Sequence, residues 1–164
     1  MRSLFHLANY APERKNSLGR LCSYPHETAR SQNITVSEEK ISDDLYCITS
    51  ISEFPATGIN LFSTTQTKSG SKTVQYVNSS GSVLWYVTVH ASFTYNGSSS
   101  SCTNASVYAE SNSSAWTVSY KSSWKSGNIG YASAIGHHHN VLGAETSSVT
   151  RTVSISCTAN GSLQ

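Results

Sequence analysis

The feature that most constrains this chain is the alternation in SVLWYVTVHASFTY, residues 82–95. Val83, Trp85, Val87, Val89, Ala91, Phe93 and Tyr95 occupy one parity, and Leu84, Tyr86, Thr88, His90, Ser92 and Thr94 the other. A period of two puts each set on one side of an extended strand, so the apolar set predicts a buried sheet face. A strand this long must pair with neighbours and pack its apolar face on a second layer.

The surrounding sequence supplies candidate partners. KTVQYV (72–77) precedes it across the turn residues NSSG, and Asn96–Gly97 follows it. Asn and Gly tolerate the positive φ that tight turns require. Beyond lie CTNASVYAES (102–111), AWTVSY (115–120), GNIGYASAIG (127–136) and VTRTVSIS (149–156). Each alternates, and each is bounded by Ser, Asn or Gly. In AWTVSY the shared face carries Trp116, Val118 and Tyr120; in GNIGYASAIG it carries Ile129, Tyr131, Ser133 and Ile135; in the last segment it carries Val149, Arg151, Val153 and Ile155, with Cys157 continuing it. Trp85, Val87, Val89, Phe93, Trp116, Val118, Val153 and Ile155 are expected to share one core. These short strands predict an all-β fold, an antiparallel β-sandwich that is Ig-like in general architecture, with a small barrel as the alternative.

Composition divides the chain. Seven of the nine acidic residues precede residue 54, whereas 24 of the 96 residues from Ser69 onward are serine. Residues 1–32, punctuated by Pro12, Gly19 and Pro25, are expected to be an irregular N-terminal segment. Residues 33–66 read as a lead-in or linker with short strands, broken at Pro55 and Gly58, and residues 67–164 as the sandwich domain. A net charge of +2 without a basic cluster gives no reason to expect nucleic acid. No run reaches the about 18 apolar residues of a membrane helix. The apolar patch Leu4–Ala8, interrupted by His6, is too short for a signal-peptide core, so no export signal is evident in the sequence.

Cys102 opens one strand and Cys157 closes another, in a polar chain with an extracellular look. A Cys102–Cys157 disulfide is expected; it would close a loop long enough to contribute about 4 kcal/mol on the chain-entropy estimate. Cys22 would then be left with Cys47. Four cysteines permit three pairings, and buried free thiols are the alternative. No close cysteine pair suggests zinc.

The triplet His137–His138–His139 could direct His137 and His139 to one face, with Glu145 or His90 as a third metal ligand. Adjacent strand residues point in opposite directions, so the triplet cannot converge by itself; no metal, cofactor or catalytic residue is expected. Serine and histidine abound without a GxSxG motif, the β-rich half has only Glu110 and Glu145 as carboxylates and no aspartate, and a chain of this pattern is expected to be no enzyme. Tyr86, Tyr108 and Trp124 fall off the apolar faces and are the candidates for a binding surface.

TKSGSKTVQYVNSSGSVLWYVTVHASFTYNGSSSSCTNAS (67–106) and TVSISCTANGSL near the C-terminus resemble a group of small secreted, serine-rich β proteins of Gram-positive bacteria, mostly uncharacterised. The shared pattern is carried by Ser69–Thr73, Tyr76, Asn78, Gly81, Leu84, Trp85, Val87–Val89, Phe93–Gly97, Cys102, Thr103 and the late Cys157. The resemblance implies a β fold and a secreted or cell-surface location, with no established activity. The expected function is a non-catalytic binding or surface-associated extracellular module whose partner is a carbohydrate, a peptide or a cell-surface component. The alternatives are a metal-binding domain using His137–His139 and a structural particle component.

Overall fold

The computed structural model describes residues 32–54 and 64–164. The irregular segment expected over residues 1–32 lies outside the described residues but for its last position, as do Pro55, Gly58 and Cys22. Eight strands are described: β1 (Gln32–Ser42), β2 (Leu45–Phe54), β3 (Gln66–Asn78), β4 (Val83–Tyr95), β5 (Ser100–Ser111), β6 (Trp116–Ser126), β7 (Ile129–His139) and β8 (Glu145–Ser156). They form two antiparallel sheets, a large one of order β1-β2-β3-β4-β5 and a small one of order β6-β7-β8. Strand order is sequential in both, two meanders joined between β5 and β6, whereas immunoglobulin domains connect their sheets by Greek keys. The segment expected as a lead-in supplies β1 and β2 of the large sheet: β1 pairs with β2, and β2 with β3.

Local chemistry sets the turns. Asn78–Ser82, Asn140–Ala144 and Thr158–Ser162 are closed by the same pair of backbone bonds, the first residue's N–H to the fifth residue's carbonyl and the fourth residue's N–H back to the first carbonyl. The fourth residue is Gly81, Gly143 or Gly161, each with φ near +80°, a conformation that glycine adopts without the Cβ penalty. The Oδ1 atoms of Asn78 and Asn140 accept two further backbone N–H groups each.

The small sheet lies over β3, β4 and β5. The odd face of β4 fills the space between the sheets: Trp85, Val87, Val89, Ala91 and Phe93 are buried, with Val153 and Ile155 of β8 opposite and Trp116 and Val118 of β6 packed at the margin. Trp85 is stacked between Tyr76, at 4.6 Å between ring centroids, and Trp116, at 6.1 Å.

β7 buries the face that its side chains make inconspicuous. Gly130, Ala132, Ala134 and Gly136 point inward, and Ile129, Tyr131, Ser133 and Ile135 point outward, only partly covered. The reason is the close approach of the sheets. A Cβ on Gly136 would stand 2.5 Å from Cε2 of Trp85, and one on Gly130 would stand 2.8 Å from Cβ of Ala91. Large side chains fit only on the outer face.

The expected Cys102–Cys157 disulfide is absent: Cys47, Cys102 and Cys157 are all free, buried thiols. Cys102 donates its backbone N–H to the Gly127 carbonyl and Cys157 to that of Asn128, so both backbones are fastened to the β6–β7 turn and not to each other. The thiols are also directed locally, Cys102 Sγ to the Asn104 carbonyl at 3.2 Å and Cys157 Sγ to that of Thr158 at 3.4 Å. They behave as small core residues at the ends of their strands.

Burial raises all three thiols above their ordinary 9.0. At Cys47 this outweighs the lowering by Arg151, at Cys102 the lowering by Lys125, and at Cys157 the lowering by Lys68. A thiol held neutral is a poor nucleophile. The folded state therefore binds these protons more tightly than the unfolded state. The associated stability is present below pH 9.0 and is lost as pH rises through the raised values. In the native protein at pH 7.5, iodoacetamide should leave these three thiols unmodified while urea-unfolded chain reacts fully. Rapid native alkylation of Cys102 or Cys157, read by peptide mass spectrometry, would contradict this.

Candidate functional site

The exposed outer face of the small sheet concentrates the side chains of interest. Register places its residues in rows across β6, β7 and β8: Trp124, Tyr131 and Ser154; then Ser122, Ser133 and Thr152; then Ser119, Ile135 and Thr150; then Thr117, His137 and Ser148. Hydroxyl groups dominate, and no charged side chain falls in these four rows.

The first row carries an aromatic pair. Trp124 and Tyr131 stack with centroids 5.1 Å apart and planes 4° from parallel. Trp124 lies on β6, an edge strand, and is 44% exposed. Tyr131 stacks on one indole face, and nearly half of Trp124 stays open to solvent. Behind this row, Thr152 Oγ1 donates to Ser133 Oγ at 3.1 Å.

The other two residues expected on a binding surface lie elsewhere. Tyr86 and Tyr108 are on the outer face of the large sheet, with ring centroids 5.8 Å apart. Tyr108 is 38% exposed, but Tyr86 is only 4% exposed and presents no open ring. Packing on the second face of β4 had no signature beyond Leu84 and Tyr86 themselves. Trp124 therefore stands apart from Tyr86 and Tyr108, on the other sheet.

The opposite end of the small sheet holds a chain of polar contacts absent from any sequence motif. Ser119 Oγ lies 2.7 Å from Nε2 of His137, and Nδ1 of His137 lies 3.1 Å from Oε1 of Glu145. The second contact is close but poorly aligned, and Nδ1 makes no directed hydrogen bond. It is a close approach of a half-exposed carboxylate to an imidazole nitrogen, without hydrogen-bond geometry. Apo sites commonly show such loosened geometry.

A β-bulge brings Ser119 to the histidine. Ser119 pairs with Ile135 and Ser122 with Ser133, so Tyr120 and Lys121 together oppose Ala134. Tyr120 adopts φ 49°, the one positive φ of a non-glycine residue among those described, and the residue is 78% exposed. A left-handed conformation at an aromatic residue costs about 1–2 kcal/mol.

The histidines do not gather. His137 stands near the end of β7 and faces outward; His138 takes the opposite side, where its Nδ1 lies 2.8 Å from Thr146 Oγ1 and its ring packs on Trp116. Glu145 does approach His137, but His90 is on the outer face of the large sheet, across the sandwich. Among the described residues no three His, Cys, Asp or Glu side chains are grouped to hold a metal ion.

A third cluster lies between the sheets. Arg151 projects inward from β8, its Nη2 3.9 Å from Cys47 Sγ, and its buried Nε has no hydrogen-bond partner. Burial raises both Cys47 and Tyr76 beside it, and the guanidinium partly offsets this.

Among the described residues no helix is long and apolar enough to cross a membrane. No protein-family model, no curated protein and no solved structure matches this chain.

Proposed function

We propose that the chain is an extracellular binding module that recognises neutral carbohydrate through the outer face of its small sheet. The observation that carries this reading is the Trp124–Tyr131 pair, an exposed indole held rigid by a stacked phenol at a sheet edge. A rigid ring loses little conformational entropy when a ligand packs against it. The apolar face of a pyranose can pack on the open indole face. Sugar hydroxyls can exchange hydrogen bonds with Ser122, Ser133, Thr152 and Ser154 in the adjoining rows. The uncharged character of these rows favours a neutral polyol over nucleic acid or an acidic partner. The resemblance to small secreted bacterial proteins agrees with a secreted or cell-surface role. The likeness to immunoglobulin domains is proposed only at the level of two packed antiparallel sheets.

Affinity electrophoresis through gels containing soluble cellulose, xylan or glucomannan derivatives tests the reading. At least one polysaccharide should retard the protein. Trp124→Ala should weaken that retardation about tenfold or more, the scale expected for truncating a central aromatic anchor. Unretarded migration through every gel, or equal retardation of Trp124→Ala, would refute it.

A further inference from the structure

We propose that Ser119, His137 and Glu145 form a nucleophilic relay that hydrolyses esters of short-chain carboxylic acids at the surface of the small sheet. The inference goes beyond the binding reading, does not rest on it, and reverses the expectation of a chain without catalysis. Its ground is the order of contacts, Ser119 Oγ to His137 Nε2 at 2.7 Å and His137 Nδ1 to Glu145 Oε1 at 3.1 Å. Hydroxyl, imidazole and carboxylate in this order are the parts of an activated serine, recognised by role whatever the fold or chain order, with Glu145 still to be brought into line with Nδ1.

Two further features mark the site. Ser119 is flanked by the left-handed Tyr120, and strained backbone collects where function maintains it. The bulge sets Tyr120 and Lys121 together against Ala134, which interrupts the regular ladder beside Ser119. Ile135, in the same row as Ser119, offers the apolar contact for a short acyl chain. An open sheet face admits small, unhindered esters and does not enclose a large acyl group.

The chemistry balances with water alone. The Ser119 oxygen bonds to the ester carbonyl carbon while its proton passes to His137 Nε2 and the carbonyl π pair moves onto oxygen. Collapse of this adduct breaks the bond to the alkoxide, which leaves with the proton from Nε2. Water then attacks the acyl-serine and gives a proton to Nε2. The second collapse releases the carboxylic acid, and Ser119 recovers its proton from Nε2. Glu145 acts as a positioning residue: brought into line with Nδ1, it holds the proton there, so that Nε2 faces Ser119, and it offsets the imidazolium charge.

The test uses p-nitrophenyl acetate and a fluorophosphonate probe on the full chain. The wild type should release nitrophenol about a hundredfold or more faster than imidazole at equal concentration, the scale of positioned general-base catalysis. The probe should add to Ser119, read by peptide mass spectrometry. Ser119→Ala and His137→Gln should each abolish both signals, with unchanged circular dichroism and thermal midpoint. Glu145→Gln should lower kcat and leave KM in place. Ser106→Ala is the control, because Ser106 sits opposite His90 on the large sheet, outside the relay. Hydrolysis that survives Ser119→Ala, equal labelling of Ser106 and Ser119, or a wild-type rate no higher than that of imidazole would overturn the relay. None of these outcomes bears on retardation by polysaccharides, so the two readings fail separately.

Discussion

Replacing Trp85 by alanine should lower the unfolding free energy by about 3–5 kcal/mol, the usual cost of truncating a large buried aromatic. Trp85 is completely buried at the centre of the β4 core face, stacked between Tyr76 and Trp116 and seated on the bare backbone of Gly136. The cavity left by truncation cannot collapse, because two sheets and two rings hold its walls apart. In a domain of this size the thermal midpoint should fall by roughly 10 °C. Trp85→Phe should cost only a fraction of this, since it keeps an aromatic ring between Tyr76 and Trp116. It also removes the buried Nε1–H, which has no hydrogen-bond partner. Urea denaturation followed by circular dichroism measures both variants. A loss below about 1 kcal/mol for Trp85→Ala would mean that the sheets are not held together by this stack.

The second large effect comes from the smallest possible addition. Gly136→Ala places a Cβ 2.5 Å from Cε2 and 2.8 Å from Cδ2 of Trp85. Real Cβ atoms do not approach so closely, and the indole is pinned by rings on both sides. Overpacking of this kind costs about 1–3 kcal/mol, against which the entropic gain of alanine over glycine in the unfolded chain offsets at most about 1 kcal/mol. The coupling is specific to the pair. In the background of Trp85→Leu, which removes the ring, Gly136→Ala should be close to neutral, and the double-mutant cycle should show marked non-additivity. Additive losses would mean that Gly136 is required for a reason other than its contact with Trp85.

Both effects follow from a close-packed interface whose two halves differ greatly in how openly the sequence displays them. On β4 the apolar parity of residues 83–95 coincides with the buried face, because bulk and burial fall on the same residues. On β7 they separate. Ile129, Tyr131 and Ile135 make the more apolar parity, but the buried parity is Gly130, Ala132, Ala134 and Gly136. Hydrophobic alternation ranks faces by transfer free energy and does not know how near the opposite layer stands. Once Trp85 and Ala91 occupy the inter-sheet space, only hydrogen or methyl groups fit against them. The candidate sites divide in the same way. Trp124 was readable as an off-core aromatic. Its stacking on Tyr131 depends on the β6–β7 register, and the companionship of Tyr86 and Tyr108 belongs to the other sheet.

By itself the sequence determined the extended, antiparallel character of residues 67–164, the Asn- and Gly-closed turns between their strands, and the apolar face of β4. These follow from interactions over a few residues: two-residue side-chain periodicity, and the low cost of positive φ at glycine. Only the tertiary structure decided that β1 and β2 join the large sheet, that Cys102 and Cys157 remain thiols fastened to the β6–β7 turn, and that Ser119 meets His137 and Glu145. Each of these turns on angstrom-scale distances between residues remote in the chain. A single bulge at Tyr120–Lys121 shifts the β6 register and sets which serine, among many, stands beside the histidine. Local sequence carries no record of that shift, because every serine near the bulge presents the same hydroxyl until the strands are paired.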